Sequence, residues 1–183
     1  MMLLRIWMGF FFALVIGFAC ASASASSQKL LDDLAKSPSV QAAQPIIDAL
    51  WKEWINEHQS QDEQALMTSG MAAMGQGRLE DAENIFGELI KKRPDFVEAW
   101  NKRATVRFML WKFEESRDDV FEVLNREPRH FGALSGLGQI FLRLGQISDA
   151  METYKNLQSV FPASPEAKRY IPMLRKKLGL TDL

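Results

Sequence analysis

Gly77-Arg78-Leu79-Glu80-Asp81-Ala82 and Gly145-Gln146-Ile147-Ser148-Asp149-Ala150 carry one pattern twice, 68 residues apart. Glycine opens each stretch, an aliphatic residue stands third, and an acid followed by alanine closes it. Half that distance, 34 residues, recurs along the chain. Pro94, Pro128 and Pro162 mark it. Twelve residues before each proline stand Ala82, Ser116 and Ala150, and twelve before those stand Gly70, Ala104 and Gly138. Larger apolar residues keep the same register at Leu66, Trp100 and Leu134, at Leu79, Phe113 and Ile147, at Phe86, Val120 and Tyr154, and at Leu89, Val123 and Leu157. Seven positions agreeing in three copies identify an internal repeat, and a period of about 34 marks stacked helical units.

Each copy is predicted to form two antiparallel helices. The small residues let the helix backbones approach closely. Gly77 and Gly145 are suited to the left-handed conformation that ends a first helix, and each proline stops a second. The copies at 63–96, 97–130 and 131–164 resemble tetratricopeptide repeats, which implies an all-α superhelix of three helix pairs. The resemblance also implies that the first helices line a concave groove. Its lining would be Gln64, Met67, Met71, Met74 and Gly75, then Glu98, Asn101, Thr105, Phe108 and Met109, then Gly132, Ser135, Gln139, Leu142 and Arg143. Family members that grip a C-terminal carboxylate use Lys and Asn where this chain has Met67 and Met71, so that clamp is absent. Methionine adapts its shape to apolar partners, and Asn101 and Gln139 can hydrogen-bond a peptide backbone. The expected partner is an apolar or amphipathic segment of another protein. The alternative for the methionines is packing against the N-terminal helices.

The middle copy departs from the pattern. Trp111 stands where the other copies have Gly77 and Gly145, and Arg103 and Arg107 stand where Leu137 and Phe141 do in the third. Four residues apart, the arginines share one helical face. One reading pairs them with Asp118, Asp119 or Glu83; the other gives them to an acidic partner through bidentate guanidinium contacts.

Ahead of the repeats, residues 28–36 form a short predicted helix, broken at Ser37-Pro38. A longer one follows to about His58, with Ser39 as its cap. Ala43, Ile46, Ile47, Leu50, Trp51, Trp54 and Ile55 give this second helix a wide apolar stripe. Residues 26–62 are thus expected to cap the open face of the first repeat. Residues 165–183 supply a C-terminal capping helix and tail. Tyr170, Leu174 and Leu178 point inward, Lys168, Arg169, Arg175, Lys176 and Lys177 face solvent, and Pro172 interrupts the helix. A solvated capping face is favoured for that cluster over contact with anionic lipid or an acidic partner, and no other membrane contact is expected. The order of parts, with Leu50-Trp51-Lys52-Glu53-Trp54, Trp100-Asn101-Lys102-Arg103-Ala104 and the stretch from Pro128 to Gly136, is similar to small exported alphaproteobacterial proteins of this type.

Near the N-terminus Arg5, the only charge before Lys29, follows residues 1–4 and precedes the apolar run 6–18 and alternating small residues to Ala25. These are the parts of a secretory signal peptide, and residues 6–21 fall short of the ~20 that a spanning helix needs. Ala19/Ala21, Ala21/Ala23 and Ala23/Ala25 all suit a signal peptidase, and the bond after Ala25 is favoured. The rivals are an uncleaved anchor and a lipoprotein acylated at Cys20, whose neighbours lack the usual leucine. Cleavage after Ala25 leaves 158 residues with no cysteine and a net charge of −2. The destination expected is the periplasm, where a chain without cysteine forms no stray disulfides.

A full-chain charge of −1 gives no general attraction to nucleic acid. Only His58, His130 and Cys20 are histidines or cysteines, too few for a zinc site or a thiol enzyme. Metalloprotease, nucleophile-elbow and phosphate-loop motifs are lacking. His130 lies in a turn between repeats, where capping is favoured over binding an anion. The expectation is a protein without cofactor or catalysis, an interaction scaffold or assembly factor for an envelope protein. The alternative is a structural or self-associating subunit using the same surface permanently.

Overall fold

A computed structural model describes residues 25–56 and 60–180. The described residues form helices α1 (Ala25–Ala35), α2 (Val40–Ile55), α3 (Gln61–Gly75), α4 (Leu79–Lys92), α5 (Val97–Met109), α6 (Phe113–Arg126), α7 (Phe131–Arg143), α8 (Ile147–Val160) and α9 (Pro165–Lys177), with no strand among them. Pairs α3/α4, α5/α6 and α7/α8 stack in sequence, and α9 closes the stack against α8. This is the all-α solenoid expected from the period.

The turn within each pair is built alike. Arg78 N–H donates to Ala73 O at 2.9 Å, Lys112 N–H to Arg107 O at 2.9 Å, and Gln146 N–H to Phe141 O at 2.8 Å. These six-to-one bonds require a left-handed residue just before the donor. Gly77 and Gly145 supply it with φ of 74° and 73°, and Trp111 does so at 63°.

Close packing explains the small residues. A Cβ on Gly70 would lie 2.6 Å from the Phe86 ring, and one on Gly138 would lie 2.5 Å from that of Tyr154. The middle pair solves the problem with smaller partners, Ala104 facing Val120, and Ser116 Oγ donates to Ala104 O at 2.7 Å. Phe86 and Tyr154 are fully enclosed, and each such side chain contributes roughly 1.5–3 kcal/mol by leaving water.

The N-terminal hairpin has the expected helices, with Ser39 Oγ accepting the Ala42 N–H at 3.2 Å. Its destination differs from expectation. It touches the first repeat's core only through Ile55 at the end of α2; α2 crosses α5 and α1 lies against α8. Trp51 meets His130 and Phe131 edge-on at 5.5 and 5.3 Å, and Trp54 stacks on His130 at 4.1 Å. Two features explain this. Gly132 leaves bare backbone beneath Trp51. The outer face of α3 carries Gln64, Ala65, Thr68, Ser69 and Ala72, all exposed, and needs no apolar cover. The start of α3 is secured separately: Ser60 Oγ accepts the Glu63 N–H, and Ser60 N–H donates to the Glu63 carboxylate at 2.9 Å.

At the other end, Ala167 and Leu174 are enclosed and Tyr170 stacks on Tyr154 at 4.9 Å. Pro172 lies inside α9 without ending it. The leader segment, Cys20 and His58 lie outside the described residues.

Candidate functional site

Helices α3, α5 and α7 lie side by side and form the floor of the concave groove. α2 roofs the part of it formed by the N-terminal halves of α5 and α7. Beneath the roof, the sequence around the second proline folds into an internal polar cluster. His130 Nδ1 accepts the Ala133 N–H at 3.0 Å, capping α7. That assigns the proton to Nε2, which donates to Glu98 at 2.7 Å. Asn101 Nδ2 lies 3.2 Å from both Glu98 oxygens, and Lys102 Nζ lies 3.3 Å from one. Glu98 and His130 are fully buried. Burial pushes the Glu98 carboxyl up, but the His130 bond, the Lys102 ammonium and Asn101 prevail and hold it below the usual carboxylate range. Lys102 also sits over the Trp51 ring at 4.9 Å.

Three expected groove residues are corrected here. Glu98 is fully buried and committed to His130. Asn101 is buried and committed to Glu98. Met67, only 2% exposed, turns into the core of the first repeat among Phe86, Leu89 and Phe96. The next helical turn of α3 presents its side chain differently: Met71 is 37% exposed, while Met74 is half-buried against that core.

The far half of the groove is open. Thr105, Met109, Gln139 and Arg143 are exposed there, and Phe108, Ser135 and Leu142 are half-buried. Between this half and α2 lies a cavity of about 510 Å³, within the range of small-ligand or side-chain pockets. Val40, Ile47 and Trp51 line one side; Thr105, Phe108, Gly136 and Gln139 are among those lining the other. The lining is mostly apolar, with a few hydroxyl and amide groups and the charged Lys102 and Glu166.

Arg103 and Arg107 belong to a network between helices. Arg103 donates through Nε and Nη2 to Asp119 at 2.9 and 2.7 Å. Arg107 reaches Asp119 at 2.8 Å and Glu83 at 2.9 Å, and Lys112 reaches Glu83 at 2.6 Å. Burial raises the Glu83 carboxyl, but Lys112 and Arg107 outweigh it and leave it lowered. The reading that gave both arginines to an acidic partner is therefore corrected. Asp119 is buried between them, and Asp119 and Glu83 already accept from both guanidinium groups.

Trp111 projects from the turn after α5, 71% exposed. Its ring meets Phe113 at 5.7 Å and the Arg143 guanidinium at 5.6 Å. Among the described residues no group of three His, Cys, Asp or Glu side chains could hold a metal ion, and no helix is long and apolar enough to cross a membrane.

Models described as "Tetratricopeptide repeat" match residues 67–127 and 133–164. A TPR repeat-containing protein of Rhizobium etli is 32% identical over 162 residues, covering 86% of this chain and 79% of that protein. The first TPR of Spaghetti (RPAP3) bound to an HSP90 peptide superposes with a TM-score of 0.63 at 21% identity, over 66% of this chain and 96% of that one. The Sgt2 TPR domain from Aspergillus fumigatus gives 0.61 at 19% identity, over 66% and 81%. MamA MSR-1 C2 gives 0.58 at 15% identity, over 84% and 86%. At these identities the structural likenesses show the fold.

Proposed function

Since the chain belongs to the tetratricopeptide repeat family, we propose that it is a non-catalytic interaction scaffold or assembly factor of the periplasm. It holds an apolar or amphipathic segment of an envelope protein in the open half of the concave groove. One observation carries this reading: α2, an amphipathic helix with Ile47, Trp51 and Trp54 on its inner face, lies in the groove and leaves a 510 Å³ space beside it. The surface that accepts one such helix has the shape and chemistry for another segment. The similar RPAP3 repeat carries a bound peptide, which supports a peptide ligand for this fold. Export rests on Arg5, the apolar run 6–18 and the alternating alanines before Ala25.

The test is photo-crosslinking in cells from a reactive residue placed at the exposed Thr105, followed by mass spectrometry of the adduct. An envelope protein in the adduct is the expected result. Met71→Glu and Phe108→Glu together should abolish that adduct with the circular dichroism spectrum unchanged. Loss of helicity in those variants would return Met71 and Phe108 to a packing role. An adduct consisting only of a second copy would support the self-associating subunit instead.

A further inference from the structure

Trp111 holds a conformation that its two sister turns give to glycine. Its φ is 63°, beside 74° at Gly77 and 73° at Gly145. Left-handed backbone is strained for a residue with a Cβ, and such strain clusters at binding positions. Packing does little to offset it here, because the indole is 71% exposed. Met109, also exposed, stands two residues away. Arg143, on the next repeat, lies over the Trp111 ring at 5.6 Å and the Phe108 ring at 6.0 Å. No carboxylate of the described residues lies within ion-pair distance of Arg143, whereas Arg103, Arg107, Arg117, Arg126 and Arg129 each reach one. A guanidinium placed beside aromatic rings and not paired with an acid keeps its N–H groups available for a carboxylate.

We propose that Trp111 and Arg143 form an anchor at the groove rim for a protein segment in which a carboxylate stands beside an aromatic or long aliphatic side chain. The carboxylate takes the Arg143 edge, and the apolar side chain lies across the indole and Met109. This rests on the groove reading above and names the chemistry of the segment held there.

The experiment pans a random dodecapeptide phage library on the full chain and measures a peptide synthesised from the enriched consensus. The consensus should place Asp or Glu within two residues of Trp, Phe, Leu or Met. Binding should weaken at least tenfold in Arg143→Glu and in Trp111→Gly, while the melting midpoint of Trp111→Gly stays equal or rises as the turn relaxes. A consensus without an acid overturns the anchor, as does affinity within twofold of wild type in both variants. A fall of several degrees in the Trp111→Gly midpoint makes the ring a packing element and also overturns it. Peptides weakened by Phe108→Glu but not by the rim variants refute the anchor and leave the groove reading standing. An unenriched library, or peptides indifferent to all three substitutions, refutes both.

Discussion

Two glycines of α7, four residues apart, should respond oppositely to the same substitution. A Cβ on Gly132 would stand 2.6 Å from Trp51 Cη2 and 2.9 Å from Cζ2, whereas one on Gly136 meets nothing within 4 Å. Alanine in a helix interior is favoured over glycine by about 1 kcal/mol. Gly136→Ala should therefore gain about 0.5–1 kcal/mol, its methyl entering the open cavity. Gly132 lies in the first turn of α7, so its propensity gain is smaller. Its methyl forces the indole off a site walled by Trp54, His130 and Phe131, and over-packing of this kind costs about 1–3 kcal/mol. The two variants should differ by roughly 2–3 kcal/mol, with melting shifts of a few degrees in opposite directions for a domain of this length. Urea unfolding measures the first quantity. Amide exchange across residues 40–55 locates it, since exchange in α2 should accelerate in Gly132→Ala and not in Gly136→Ala. Equal stabilisation by both, with α2 exchange unchanged, would refute the docking of the hairpin on α7.

Two further outcomes follow from the ion pairs. Asp119→Ala leaves two guanidinium groups facing one another in a largely buried site and should cost about 3 kcal/mol, read by chemical denaturation; a change below about 0.5 kcal/mol would mean the network contributes nothing. Because the Glu98 carboxyl is held below its ordinary range when folded, its contribution is complete above the unfolded value of about 4.3 and fades as pH falls through the folded one. Glu98→Gln should therefore cost roughly 2 kcal/mol at pH 7, with the gap to wild type closing below about pH 4. A gap that stays constant from pH 7 to pH 3 would argue against the buried carboxylate.

The period of 34 made the helix pairs legible because each side chain that sets it acts within one repeat or on its neighbour. Gly70 faces Phe86 and Gly138 faces Tyr154, both short-range events. The same holds for Ser39 at the start of α2 and for the pairing of Arg103 and Arg107 with Asp119 and Glu83, acids named from the sequence. The hairpin was another matter. An apolar stripe says that a helix must be covered and not by what. The answer lay in two quiet signals far apart in the chain, the small and polar outer face of α3 and the missing side chain at Gly132. A third signal, Ser60 three residues before Glu63, marked the start of α3 and could have been read as a capping box. Met67, Glu98 and Asn101 went astray because position in a repeat states which way a side chain sets out, while burial depends on what the hairpin and the neighbouring helix place above it.

The return of the hairpin also changes how the array should come apart. Arg129 binds Asp32 at 2.6 Å across 97 residues of chain, and reaches Gln28 as well. A linear stack contacts only nearest neighbours and frays from either tip. Here the leading helices are fastened to the third unit, so opening either tip must also release that clasp. Unfolding is thereby pushed toward a single concerted event, and formation of the clasp waits on a long loop closure. Excising the third unit would loosen the beginning of the protein together with its end.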